Sequence, residues 1–161
     1  MANFDGIKNS ILVQKIFALD SLYGRVLSTI TPLIELALKL WVATAFFKSG
    51  LTKIQSFDTT IMLFEYEYSV PLLSPTVAAY MGTAAELVLP VLLIIGLGGR
   101  YSALALFVFN IVAATSYPDI SALGLSQHML WGLALLMLTL YGPGKLSLDY
   151  FICKKYFRSC S

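Results

Sequence analysis

PTVAAYMGTAAELVLPVLLIIGLGG, residues Pro75 to Gly99, is apolar for the length a bilayer demands, yet it carries one carboxylate, Glu86, near its centre. A hydrocarbon core of about 30 Å takes roughly 20 helical residues at 1.5 Å each. Counted from Pro75, Glu86 lies about 15 Å deep. A charge at that depth costs at least ~2.5 kcal/mol to insert, so it should face a partner, a cavity or a proton. This stretch therefore reads as a membrane helix with a polar obligation inside a bundle.

The rest of the chain agrees. Of its 161 residues 58% are hydrophobic and only 12% charged, and the mean hydropathy is +0.78; soluble domains run nearer a quarter charged. The net charge of +2 and the lack of a basic patch interleaved with aromatics exclude nucleic acid as a partner. Cys153 and Cys160 lie in the polar C-terminal tail without CxxC spacing, which argues against a membrane thiol oxidoreductase. Two reduced cytosolic thiols are the plain expectation, with a metal clip or palmitoylation as the other readings.

Working outward from Glu86, four spans are predicted. The first covers about Thr31 to Leu51, with Pro32 suited to a first helical turn. The second is the Glu86 stretch. The third runs from Tyr101 to Tyr117, with Asn110 its only strongly polar residue, and the fourth from Leu125 to Tyr141. Ahead of them, Ile7, Ile11, Ile16, Leu19 and Leu22 recur at helical spacing, which fits either an amphipathic surface helix or a continuation into the first span. Between spans one and two, Thr59 to Tyr66 reads as a short helix lying on the membrane and capped by Asp58. Its acidic, aromatic end, Glu65-Tyr66-Glu67-Tyr68, fits an aromatic belt or a lid over the bundle. The fold class is all-α: an antiparallel four-helix membrane bundle with an N-terminal amphipathic helix. The chain divides at 1–28, 29–150 and 151–161, the last a basic tail. Lysines and arginines gather before span one, at Arg100 and after span four, so the positive-inside rule predicts an inner-membrane protein with both termini cytoplasmic.

From Leu40 to Tyr150 the chain resembles the DoxX family of small four-span membrane proteins. The residues that carry the resemblance are AFFKSGLTKI (Ala45 to Ile54), TAAELVLPVLLIIGLGGR (Thr83 to Arg100) and YGPGKLSLD (Tyr141 to Asp149). The longer run SGLTKIQSFDTTIMLFEYEY and the His-Met-Leu-Trp opening of span four resemble one branch, HvfX. The wider family resemblance implies redox work, and the branch implies copper handling tied to the biosynthesis of modified copper-binding peptides. Together they imply a quinone-like or lipid-like ligand and a peptide or peptide-modifying oxidase as partner.

Two residues stand out as candidates for proton transfer, Glu86 and His128. On helical phase Lys39 faces the bundle at a depth similar to Glu86, which predicts a buried Lys39–Glu86 pair completed by Asn110. Lys48 points nearly opposite and should snorkel. His128 opens span four on its inner face and reads as a hydrogen-bonded structural residue, a proton relay or a ligand contact. A single histidine with no nearby cysteine does not build a metal site by itself; a weak one would need Glu65, Glu67, Asp119 or a methionine as well. Lys39, Asn110, Tyr80, Lys53, Glu65 and Glu67 complete the candidate ligand-binding set. Small residues, Ala78, Gly82, Ala85, Gly132 and Ala134, read as packing seams between helices. The competing reading is non-enzymatic: a membrane scaffold or export-linked receptor for a peptide or oxidase, able to form a homo-oligomer.

Overall fold

The computed structural model describes residues 11–142 and 144–156; Ile7, Cys160 and the rest of the extreme tail lie outside them. It is all-helical, with no strand among the described residues. We number the helices α1 (Ile11–Gln55), α2 (Phe57–Tyr66), α3 (Pro75–Ile95), α4 (Gly99–Thr115), α5 (Ala122–Tyr141) and α6 (Leu148–Tyr156). The chain falls into two compact units, residues 1–34 and 35–161. In the first, helical throughout its described part, Ile16, Phe17, Leu19 and Leu22 are all exposed.

The helices end where the sequence gives them reason to. Ser74 caps α3 by accepting the Val77 N–H, and Pro75 behind it needs no donor at that position. Gly96 closes α3 in the left-handed region (φ 70°), as a residue without a Cβ can do cheaply. At the start of α4 the Asp149 carboxylate accepts the Gly98 and Gly99 N–H groups at 3.0 and 2.7 Å. The YGPGKLSLD segment thereby clamps the turn between α3 and α4. Ser121 caps α5 by accepting the Gly124 N–H. At α2 the N-cap position belongs to Ser56, and Asp58, predicted to cap, stands in the first turn where its charge still favours the helix dipole.

α1, α3 and α5 are long and apolar enough to cross a membrane, and α4, at 17 residues, is the shorter apolar helix. Together they pack as a membrane helical bundle. Three of them bury the same phase: Val42, Ala43 and Phe46 on α1, Gly82, Thr83 and Glu86 on α3, Ser102, Ala103 and Leu106 on α4. Lys39 is buried and Lys48 exposed, as helical phase predicts. The main core gathers Val42, Ala43, Phe46, Leu93, Ala103, Leu106, Ala134, Leu135 and Leu138. A second, smaller cluster of Phe64, Ala78 and Ala79 seats α2 on the first half of α3. The short helix thus rests its Phe64 side on α3 and leaves Asp58, Thr59, Met62, Glu65 and Tyr66 exposed. Gly82 admits the Phe64 ring, and Gly50 lets α1 approach Leu87 and Glu86 of α3 so closely that an added Cβ would come within 3.0 Å of both.

One expectation about the tail is corrected. Cys153 is disulfide-bonded, not the reduced thiol anticipated.

Candidate functional site

The corner between α1 and α2 sets the depth of the site. α1 ends at Gln55, and the Thr60 hydroxyl ties the start of α2 back to the Lys53 carbonyl at 3.0 Å. The last turns of α1 therefore face the middle of α3. There Lys53 Nζ donates to both Glu86 oxygens at 2.6 Å and to Ser49 Oγ at 2.9 Å, while Ser49 Oγ donates to Glu86 Oε1 at 3.1 Å. The side chains of Lys53 and Glu86 are only 13% and 8% exposed. All three ammonium protons have acceptors, so the triad is closed and neutral overall, the condition under which a buried charge pair is tolerated. Four residues on, Pro90 has no N–H to offer the Glu86 carbonyl. The helix ladder therefore lacks a rung where the carboxylate projects.

A second polar unit joins α4 to α5. Asn110, 3% exposed, donates from Nδ2 to the His128 carbonyl at 3.0 Å, and its Oδ1 lies 2.8 Å from His128 Nδ1. Gly132 makes room for this amide: an added Cβ would sit 3.2 Å from Nδ2. Phe46 and Trp131 meet the imidazole edge-on, with ring centroids 6.5 and 5.1 Å away.

Two cavities flank these units. An apolar one of about 340 Å³ lies among α2, α3 and α4, lined by Phe64, Met81, Gly82, Ala85, Val108 and Val112, with Lys53 and Glu86 in its wall. Met81 and Val108 on its rim are exposed on the outer face of the helices, where lipid would stand. The Ser116 hydroxyl also borders it, 2% exposed and without a hydrogen-bond partner among the described residues. A polar cavity of about 290 Å³ lies on the other side, lined by Phe46, Tyr117, Ser121, Gln127, His128 and Trp131. Lys53, Tyr68, Glu86 and Ala113 belong to both walls. Tyr68 stacks between Phe64 and Tyr117, at 4.7 and 5.1 Å. Burial, then the Glu86 carboxylate, push its hydroxyl above the ordinary tyrosine range, so it stays a proton donor. Tyr117 is raised as well, chiefly because the Glu67 carboxylate accepts its phenol hydrogen.

Several predicted contacts are redistributed. Glu86 pairs with Lys53, not with Lys39. Gly50, level with Glu86, stands 11 residues beyond Lys39, which puts Lys39 about 16 Å further along the helix. Lys39 is 2% exposed at the opposite end, with Glu35 and Asp149 as its electrostatic neighbours. Asn110 serves His128 and does not complete the Glu86 network. Tyr80 is 59% exposed and packs on Phe57, outside both cavities. Glu65 and Glu67 are exposed at the end of α2, Glu67 reaching the site through Tyr117 and, by its charge, Tyr68. No group of three or more metal-ligating side chains occurs among the described residues.

Comparison with known proteins bears on this arrangement. The DoxX family profile matches residues 34–118, which contain the Lys53–Glu86 pair and Asn110. This chain belongs to the DoxX family. It is 32% identical over 127 residues to a Haemophilus influenzae protein described as uncharacterized, covering 75% of this chain and 84% of that one. No solved structure matches it.

In this DoxX protein, sequence reasoning missed Ser49, Tyr68 and Trp131. Ser49 stands one turn before Lys53, on the same side of the helix, and that spacing was the available signal. Tyr68 carries no signal in the sequence beyond its place in the acidic, aromatic run.

Proposed function

We propose that this DoxX-family protein holds a lipid-soluble, quinone-like or lipid-like molecule beside the Lys53–Glu86 pair, in support of a membrane redox or copper-handling pathway. One observation carries the reading: an apolar cavity with exposed Met81 and Val108 on its rim is bordered by the buried Lys53–Glu86 pair and an unpartnered Ser116 hydroxyl. Ligand sites combine these features, mostly apolar walls with a few converging polar groups. Glu86 and Tyr68 would address the polar end of the ligand, with His128 on the water-facing side. The HvfX-like branch, with a modified peptide or its oxidase as partner, is part of this proposal. So are four spans in a bacterial inner membrane. The exposed Glu65 and Glu67 favour a second reading, a docking point for a cationic peptide without any chemistry in the bundle.

Native mass spectrometry of protein extracted without detergent tests the ligand. The wild type should retain one amphiphile of defined mass in near-stoichiometric amount. Ala85→Phe, which fills the apolar cavity, should lose it while melting at nearly the same temperature. Retention that is absent in the wild type, or indifferent to the filled cavity, refutes the reading.

Topology is tested separately. With both termini cytoplasmic, Glu65→Cys in spheroplasts should react with an impermeant thiol reagent and Ser159→Cys should not. The reverse pattern inverts the protein.

A further inference from the structure

The His128 carbonyl can only accept a hydrogen bond. It therefore fixes which end of the Asn110 amide faces it: the Nδ2 group donates there at 3.0 Å. Asn110 Oδ1 must then be the atom facing the imidazole, and an amide oxygen can only accept. The proton consequently sits on His128 Nδ1, 2.8 Å away. In the neutral ring this leaves Nε2 as a bare lone pair, and Nε2 has no hydrogen-bond partner among the described residues. Asn110 contributes to the outer groove between α4 and α5 but not to the polar cavity, whereas His128 lines both. The bonded edge of the ring thus belongs to the α4 side.

The polar cavity that His128 lines has largely aromatic walls. Phe46, Tyr68, Tyr117 and Trp131 all line the polar cavity. Phe46 and Trp131 hold the imidazole edge-on, and Phe46 meets Trp131 at 5.5 Å. Such rings favour another ring in offset or edge contact. The neighbouring charge does not compete for the occupant, because every Lys53 proton is already taken by Glu86 and Ser49. Tyr68, Ser121 and Gln127 bring hydroxyl and amide groups to the same walls that can turn to donate or accept, whereas His128 Nε2 is held as an acceptor only.

We infer that the polar cavity is a site for a hydroxylated aromatic ring, a phenol, whose O–H donates to His128 Nε2 in the tautomer that Asn110 enforces. His128 acts here as a specificity residue and Asn110 as the residue that positions it. At Nε2 an aromatic head with acceptors only would set lone pair against lone pair and bind less well. This inference rests on reading the paired cavities as a ligand site.

His128 is the sole histidine of the chain, so ¹⁵N-histidine labelling gives one imidazole to observe in lipid nanodiscs. The free protein should show a protonated Nδ1 and a bare Nε2. 4-Nonylphenol should shift the Nε2 resonance and bind about tenfold more tightly than 4-nonylanisole, which differs by the loss of one donor. Asn110→Ala should release the tautomer and bring the ratio of the two affinities close to one, whatever it does to each of them. A ring protonated at Nε2, or equal affinity for the two probes, overturns the inference and leaves the apolar cavity reading intact. Binding of neither probe, together with loss of the retained amphiphile, overturns both.

Discussion

Glu86→Gln should destabilise the bundle by about 3–5 kcal/mol, because it leaves the Lys53 ammonium buried and unpaired. Lys53→Met should cost a similar amount for the converse reason. The double variant should recover much of the loss, since an uncharged pair of comparable volume has no desolvation debt. Thermal unfolding in lipid nanodiscs reads all three. Lys39→Met supplies the control: combined with Glu86→Gln its effect should be additive, the two sites being about 16 Å apart along the bundle. Coupling of Glu86 to position 39 instead of 53 would mean that the register between α1 and α3 differs from the one described.

Gly96→Val should cost roughly 2–5 kcal/mol, the sum of a left-handed backbone penalty and an overpacked seam. Gly96 has φ 70°, and an added Cβ would collide with the Ser147 side chain and lie 2.9 Å from Ser147 Cα. The Gly96 carbonyl also accepts the Asp149 N–H at 3.1 Å, so a displaced Gly96 pulls on the residue that caps α4. Gly98→Ala separates the two causes. Gly98 is also left-handed, at φ 58°, but nothing lies within 4 Å of its added Cβ. It should lose only the backbone part, about 1–2 kcal/mol. Equal losses at the two glycines would remove the role given to the Ser147 contact.

The membrane bundle was legible because hydropathy and helical phase are local properties of the sequence. The same phase correctly turned Lys39 inward and Lys48 outward, and Lys53 lies on the inward side as well. It could not say which of two lysines on that side meets Glu86. That choice depends on depth, which is set by the Gly50 seam against Leu87 and by the Thr60 link that ends α1 at the level of mid-α3. Neither is a periodic signal. Asn110 and His128 were likewise each visible as inward polar residues. Their union depends on Gly132 letting α4 and α5 close up across a turn, a contact that sequence spacing does not contain.

The two apolar clusters have no buried residue in common. Cooperative structure in proteins opens in contiguous packed units, and the smallest units open at the least cost. The α2 cluster, resting on Phe64, Ala78 and Ala79, is such a unit. Its release would uncover Tyr68 and the roof of the apolar cavity while Leu93, Leu106 and Leu135 stay closed around the other half. Exchange of a guest molecule then requires breathing of one ten-residue helix, and amide protons of α2 should exchange with solvent well before those of α4 and α5.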